Sequence, residues 1–266
     1  MAQLFYDAKS AAGYERGFAR ISSHFIPFLM DAAGVAPGHR ILDVATGTGL
    51  AAEAALAIVG ATGHVTAVDI SHQMAEQARE RLKCASNATV RIDDGQAIDL
   101  PDDSFDAVIC SLGLMFFPSP ARGLGEFLRV LRNGGRAAVS VNTVPERSYN
   151  TRIHPLMARY VPSLAESASR LFSLGEDKKL HALFADAGFS DITIATRMQR
   201  FAVPSFDEYF AHIELGWGSA GQMFVSLPED IKRAVRDDAR CDLGDNGGPI
   251  EIEVEFMFAS GRKLGS

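Results

Sequence analysis

Between residues 40 and 142, five short apolar runs alternate with segments long enough to form helices. The runs are rich in Val, Ile and Ala, and they cover residues 40–45, 64–69, 89–92, 105–111 and 136–142. Strands that are joined by helix-length crossovers pair in parallel, since each crossover returns the chain to the same edge of the sheet. The alternation therefore predicts a doubly wound parallel sheet with helices on both faces.

Three further patterns extend the sheet and surround it with helices. Apolar residues recur at helical spacing in residues 11–34, where Pro27 is expected to kink the helix or divide it. A sixth strand is predicted at residues 192–200. In residues 250–258 apolar and acidic side chains alternate strictly, which is typical of a half-exposed strand at or near an antiparallel edge.

The composition excludes several classes of function. The 266 residues include 26 Lys and Arg against 33 Asp and Glu, so the formal net charge is −7. Nucleic-acid binding depends on neutralising phosphates, and this chain has no basic run, so neither DNA nor RNA is expected as a partner. Three scattered cysteines indicate a reducing compartment, the cytoplasm, and no metal site. Neither a signal peptide nor a membrane span is expected.

The turn after the first strand carries the candidate chemistry. It reads Asp-Val-Ala-Thr-Gly-Thr-Gly over residues 43–49, and its glycines allow a ligand to approach the main chain closely. Free amides at the start of the following helix point to the same place and favour an anionic group. Asp43 lies at the end of the first strand. Asp69 ends the second strand, where it can accept two hydrogen bonds from a ribose diol.

A third polar segment, Asp94-Gly-Gln-Ala97, follows the third strand. Three strand ends therefore carry groups that suit adenosine, in the order that a nucleoside would need. A Gly-x-Gly sequence is also found in ordinary turns between a strand and a helix, so that interpretation stays open when the glycines are taken alone.

With these motifs the chain resembles the class I S-adenosylmethionine-dependent methyltransferases, especially the small-molecule branch that includes the ubiquinone/menaquinone C-methyltransferases. The segments that carry the resemblance are 42–49, 65–71, 93–114, 126–135 and, weakly, 185–194. The resemblance implies an α/β fold with a Rossmann-like, doubly wound sheet. The sheet would have seven strands, mostly parallel with one antiparallel strand, and helical cap segments would lie beside it.

The resemblance also implies how the chain is divided. Residues 1–266 would form a single methyltransferase domain, in which residues 38–142 hold the cofactor. The remaining segments, 1–34, 145–175 and 203–248, would form the cap and bind the substrate.

The implied cofactor is S-adenosylmethionine, and its methionine half would lie on the first turn. Asp43 would sit near the ammonium group, and the backbone of Ala45, Gly47 and Gly49 would wrap the methionine and the ribose. The carbonyl of Ser111 would accept a hydrogen bond from the same ammonium group. Ala45 stands where the family usually has its first glycine, a departure that we expect binding to tolerate.

The adenosine half would be held by the ends of the second and third strands. Asp69 would bind both ribose hydroxyls, and Ile70 would pack against the adenine. Gln96 and the amide of Ala97 would recognise the adenine edge. The family usually has aspartate in place of Gln96, but a glutamine carbonyl can still accept a hydrogen bond from the adenine amino group.

In-line methyl transfer depends mainly on proximity, alignment and the exclusion of water. An apolar enclosure is therefore expected over the reacting carbon. Leu112, Phe116 and Phe117, in the loop after the fourth strand, and Tyr14, in the N-terminal helix, are the predicted substrate-binding residues. Aromatic side chains in the flanking segments indicate a small, hydrophobic or aromatic acceptor.

A general base is needed only if the acceptor must lose a proton. His154 is the first candidate, because the segment after the fifth strand usually covers the acceptor in related enzymes. His24, in the predicted N-terminal helix, is the second. A single histidine is more often structural than catalytic, so both assignments stand as hypotheses.

Two other functions stay open from the sequence. Gly47-x-Gly49-x-x-Ala52 also fits an NAD(P)-dependent oxidoreductase, and Asp69 would suit its ribose. Asp43 argues against that interpretation, since its negative charge would repel the pyrophosphate of a dinucleotide. A non-catalytic protein that binds S-adenosylmethionine is the other alternative. The sequence does not predict an oligomeric state.

Overall fold

The computed structural model describes residues 19–148, 152–216 and 218–265, and these contain one seven-stranded sheet. The strands are β1 Arg40–Val44, β2 His64–Asp69, β3 Ala88–Ile92, β4 Phe105–Ser111, β5 Leu131–Asn142, β6 Ser190–Val203 and β7 Ile250–Arg262. Their order across the sheet is β3-β2-β1-β4-β5-β7-β6. Strands β1 to β5 pair in parallel, and β7 runs antiparallel to β5 and β6. The predicted fold class is confirmed.

Helices cover both faces of this sheet. They are α1 Ala19–Ala33, α2 Leu50–Val59, α3 His72–Leu82, α4 Pro120–Val130, α5 Ile153–Tyr160, α6 Ala165–Leu171, α7 Asp177–Asp186, α8 Phe206–Glu214, α9 Gly218–Val225 and α10 Glu229–Asp242. Short 3₁₀ helices occur at Leu114–Phe116, Pro145–Arg147 and Pro162–Leu164. Within the described ranges, no helix is both long and apolar enough to cross a lipid bilayer.

Serine side chains fix the start of several helices. Ser71 accepts a hydrogen bond from the Met74 amide at the start of α3, and Ser205 accepts one from the Glu208 amide at the start of α8. Ser119 caps α4, whose first residue is a proline. These caps satisfy amides that the first helical turn leaves unpaired, so they locate each helix relative to the strand end before it.

Alternate residues of the strands face two separate apolar clusters. Ile41 belongs to a cluster that includes α1, α2 and the helices α5, α8 and α10. Its neighbour Leu42 belongs to the opposite cluster, together with Phe127 of α4 and Phe184 of α7. The helices of the predicted cap therefore pack as a continuation of one core cluster.

Of the two expectations for Pro27, a division of the helix is wrong, because α1 runs without a break from Ala19 to Ala33. Ile26 and Leu29 on either side of the proline are buried against the sheet. The ring of Phe25 packs edge-on against Phe256 of β7, with the ring centroids 4.7 Å apart. This burial holds the helix together where proline removes a backbone hydrogen bond.

Strand β7 lies one position in from the edge, and β6 is the edge strand. The predicted alternation of buried and exposed residues holds over 250–254, and residues 256–261 are buried without interruption. This second half pairs with β5 and β6, and its side chains alternate between the two apolar clusters, with Phe256 and Phe258 in one and Met257 and Ala259 in the other.

Candidate functional site

A cavity of about 560 Å³ opens at the carboxyl ends of the parallel strands. The turns after β1, β2, β3 and β4 form one end of it, and residues of α1, α5, α6, α8 and α9 form the other. Ligands of open parallel sheets bind at this edge, and the volume lies within the usual range of small-molecule sites. The cavity is therefore the candidate active site.

Most of the residues predicted for the site line this cavity. They are Ala45, Gly47, Asp69, Ile70, Gln96, Ser111, Leu112, Phe116, Phe117 and His154. The predicted residues that do not line it are Asp43, Gly49, Ala97 and His24. Tyr14 lies outside the described residues.

The turn after β1 has an unusual backbone. Ala45, Gly47 and Gly49 all adopt positive φ angles, of 55°, 57° and 86°. A left-handed conformation is disfavoured by roughly 1–2 kcal/mol for a residue with a side chain, so Ala45 is strained. The Ala45 methyl group lies against Gly113, where a Cβ atom would come within 2.6 Å of it. Gly49 caps α2 and packs against Ala78 of α3, which explains why it does not reach the cavity.

Asp69 holds the first two turns together. Its Oδ2 accepts a hydrogen bond from the Gly47 amide and its Oδ1 accepts one from the Ser71 amide, both at 2.8 Å. Burial raises the pKa of the carboxyl, and the two amides act in the opposite direction. Each oxygen keeps a second lone pair, so Asp69 can still accept hydrogen bonds from a diol. The contacts of Asp69 with the Gly47 and Ser71 amides could not be read from the sequence motif.

Asp43 is completely buried behind the turn. Its Oδ2 accepts a hydrogen bond of 2.6 Å from the Thr46 hydroxyl, and its Oδ1 has no hydrogen-bond partner among the described residues. Burial raises the pKa of Asp43 to about 7, and the negative charge of Asp69 adds to the effect. The Thr46 hydroxyl and the Ala52 amide lower it only in part. A buried carboxyl of this kind suits a nearby cationic group, which would favour its ionised form.

The turn after β3 is more tightly bonded than expected. The side-chain Oε1 of Gln96 accepts a hydrogen bond of 2.7 Å from the Ser119 amide, which ties the turn to the start of α4. The Ala97 amide donates to the Asp94 carbonyl at 2.9 Å, so recognition of adenine by this amide would require that bond to be shared. Ile70 lies at the cavity with 53% of its surface exposed and offers an apolar contact for a flat ring.

The loop after β4 forms a wall of the cavity. Leu112 has a φ of +54°, and its amide donates to the carbonyl and the hydroxyl of Ser140. Phe117 is held between two glycines. A Cβ atom on Gly95 or on Gly123 would lie 2.6 Å from the Phe117 ring. These glycines therefore fix the ring where it lines the cavity.

The two candidate bases occupy very different positions. His154 lies in the first turn of α5 and is 4% exposed, and its Nε2 is 3.0 Å from the Ser219 hydroxyl of α9. His24 is exposed on α1, where its ring packs edge-on against Phe201. Ser22 and Ile26 are the α1 residues that line the cavity. His24 lies between them in sequence and therefore on another side of the helix, so its assignment as a base is not supported.

His212 of α8 also lines the cavity, although only His154 and His24 were assigned as bases from the sequence. Burial lowers its pKa to about 4, so its imidazole is neutral at pH 7. It follows Tyr209 by three residues, and the two rings are 5.4 Å apart. His212 lies beside the buried face of the amphipathic helix α8, and this position in the sequence pattern indicates that it can reach the cavity.

Metal-binding groups are not clustered in the described part of the chain. No three His, Cys, Asp or Glu residues there are placed to hold an ion. The cysteines Cys84, Cys110 and Cys241 are free thiols. Burial raises the pKa of Cys110, which keeps its thiol protonated. Independence from metal stays a prediction for an activity assay.

Residues 41–135 match the family model of a methyltransferase domain. The chain is 38% identical over 174 residues to demethylmenaquinone methyltransferase of Clavibacter sepedonicus, covering 59% of this chain and 69% of that one. It is 32% identical over 181 residues to the ubiquinone/menaquinone biosynthesis C-methyltransferase UbiE of Ectopseudomonas mendocina (strain ymp), covering 62% and 71%. The matched domain contains every residue that was predicted to bind the cofactor.

The fold is similar to that of solved structures. The YcgJ protein of Bacillus subtilis superposes with a TM-score of 0.62 over 91% of this chain and 99% of that one, at 19% identity. This likeness supports the seven-stranded architecture described above.

Proposed function

Since this chain belongs to the S-adenosylmethionine-dependent methyltransferases, we propose that its cavity holds the cofactor at the strand ends and a small acceptor under the cap. When bound, the cofactor supplies a methyl group that is activated by its sulfonium. The observation that carries the proposal is the continuity of one cavity from Asp69 and Ile70 to His154. Such a cavity aligns two ligands and excludes water from the space between them.

The side chains at the strand ends suit the chemical groups of this cofactor. Asp69 has free lone pairs at the cavity for the ribose hydroxyls, and Ile70 presents an apolar surface for the adenine. Asp43 adds a buried carboxyl behind the turn, where its unpaired oxygen favours a positively charged ammonium group nearby. We assign the Ala45 and Gly47 backbone and the Ser111 carbonyl to the methionine half.

The acceptor that we propose is hydrophobic or aromatic. The walls of the cap end include Leu112, Phe116, Leu171 and Ile213, which offer apolar contacts to a ring. The names of the two relatives refer to quinone biosynthesis, and we extend that chemistry to a quinol-like ring here. The proposal includes no nucleic-acid partner and places the reaction in the cytoplasm.

We assign His154 as the group that accepts a proton from the acceptor. Its Nε2 lies 3.0 Å from the Ser219 hydroxyl, so Ser219 orients the ring. A positioned base of this kind contributes when a phenol or a ring carbon must lose a proton as it attacks the methyl group. The other residues of the cap align the acceptor and exclude water.

The division of the chain follows the same proposal. Residues 38–142 bind the cofactor, while residues 145–175 and 203–248 cover the acceptor within a single domain. The shared apolar cluster of α1, α2, α5, α8 and α10 supports this assignment, since it leaves no separate core for a cap domain.

Transfer of a labelled methyl group tests the proposed function. The purified protein is incubated with labelled S-adenosylmethionine and reduced 1,4-naphthoquinone, with and without a chelator. We expect labelled, C-methylated product in both samples.

Calorimetric titration tests which cofactor binds, and it should show binding of S-adenosylmethionine and none of NAD. Binding of NAD alone would contradict the proposed function, and activity that a chelator abolishes would show that a metal is required.

A further inference from the structure

Charged side chains are divided between the two ends of the cavity. The carboxylates that line it lie at the cofactor end, where Asp69 ends β2 and Asp93 and Asp94 follow β3. Arg170 of α6 lines the cap end. Among the described residues that line the cap end, none carries a carboxylate. The cap end of the cavity therefore carries a positive charge in a protein whose net charge is −7.

The ion pair that Arg170 makes with another residue of the same helix is weak. One guanidinium nitrogen lies 3.4 Å from a carboxylate oxygen of Glu166, four residues earlier on the same helix. The Glu166 side chain is 87% exposed and the Arg170 side chain is 42% exposed. Ion pairs between exposed side chains stabilise a helix very little, so Arg170 keeps donors for a ligand.

An amide donor contacts the end of the same helix. Asn142, at the end of β5, is 6% exposed and lines the same cavity. Its Nδ2 is 3.5 Å from the carbonyl oxygen of Leu171, the residue that follows Arg170. This long hydrogen bond places Asn142 next to α6, and its amide has a second hydrogen to donate.

We infer that Arg170 determines specificity by binding a carboxylate group on the acceptor, with Asn142 as a second donor. The planar guanidinium fork matches a carboxylate better than it matches a neutral oxygen. The acceptor would then be an aromatic acid, with its ring against the apolar wall and its charged group toward α6. This inference rests on the proposed function and narrows its substrate class.

A matched pair of ligands tests the inference without turnover. The probes are 1-hydroxy-2-naphthoate and its methyl ester, titrated by calorimetry into protein saturated with S-adenosylhomocysteine. We expect the wild-type protein to bind the acid about tenfold more tightly than the ester, since charge-assisted hydrogen bonds reach this size. Arg170→Gln should remove that preference, and Arg170→Lys should retain part of it.

The ester and S-adenosylhomocysteine serve as controls within each variant. Their affinities should stay within about twofold of wild type, because neither ligand depends on the Arg170 charge. Glu166→Gln is the matched control on the same helix, and it should leave the preference for the acid intact.

Three results would overturn the inference: equal affinity for acid and ester, no binding of either, or equal loss of both in Arg170→Gln. A wild-type protein that fails to bind S-adenosylhomocysteine would instead contradict the proposed function.

Discussion

Asp43 has the most perturbed environment among the carboxyl groups of the candidate site. It is fully buried, and one of its oxygens has no hydrogen-bond partner among the described residues. The sequence motifs predicted that Asp43 lies near the ammonium group of the cofactor, but they did not predict that its carboxyl is buried behind the turn. Burial depends on packing by α2 and the neighbouring strands, which a motif does not contain.

Binding of S-adenosylmethionine is expected to tighten as the pH rises through about 7, the pKa of Asp43 in the free protein. A cationic ligand favours the ionised carboxylate, so binding below this pH must release a proton. Calorimetry between pH 5.5 and 7.5, in buffers of different ionisation enthalpy, measures both effects. Asp43→Asn should flatten the profile. An affinity that is constant or falls with rising pH would contradict this assignment.

The same carboxyl should limit the stability of the free protein. The pKa of Asp43 rises from 3.8 to about 7 on folding, so its contribution to stability is complete below pH 3.8 and is lost as the pH rises through 7. Asp43→Asn removes the charge and can still accept the Thr46 hydrogen bond. We expect its free energy of unfolding to exceed that of wild type by about 2–4 kcal/mol at pH 8. Urea denaturation at pH 4 and pH 8 tests this, and a variant that is less stable at pH 8 would refute it.

His154 and His24 form a matched pair of substitutions. His154→Ala should lower kcat by about 10²–10⁴-fold, the usual contribution of a positioned base, without weakening cofactor binding. His24→Ala should leave kcat within about twofold, since His24 lies off the cavity and its contribution to activity should be small. Equal effects of the two substitutions on kcat would show that the base is wrongly assigned.

The two histidines could not be distinguished from the sequence, because the rotation of α1 relative to the sheet decides which of its side chains face the cavity.

The strands and most helices could be predicted from apolar periodicity. The bounds of β1, β2 and β4 follow the predicted runs closely, because the runs are short and end in turn residues. The continuous helix through Pro27 could not be predicted, because burial against β7 outweighs the local effect of proline. The hydrogen bond from Ser119 to Gln96 also joins elements that are distant in sequence.

Two glycines of α4 should respond oppositely to alanine. A Cβ atom on Gly123 would lie 2.6 Å from the Phe117 ring, whereas Gly125 has nothing within 4 Å. Gly125→Ala should raise the free energy of unfolding by about 0.5–1 kcal/mol through helix propensity. Gly123→Ala should lower it by about 1–3 kcal/mol because the ring must move. Chemical denaturation measures both values, and equal stabilisation would show that Phe117 is not held by this contact.

At the scale of the whole molecule, the charge is organised around the cavity. The net charge of −7 argued against nucleic acid, and the structure places three of the carboxylates at the cofactor end. The strand order and the edge that binds ligands follow from the alternation of strands and helices. The shape of the acceptor end does not, since three parts of the chain that are far apart in sequence assemble it: α1, α5 with α6, and α8 with α9.

A crystal structure with S-adenosylhomocysteine bound would show where the reacting sulfur lies relative to the cap. We predict that the ribose hydroxyls bind Asp69, that the adenine packs on Ile70, and that the sulfur faces the part of the cavity lined by His154. A nucleoside bound under the cap, or a sulfur that faces away from His154, would contradict the claim that one cavity aligns the cofactor with its acceptor.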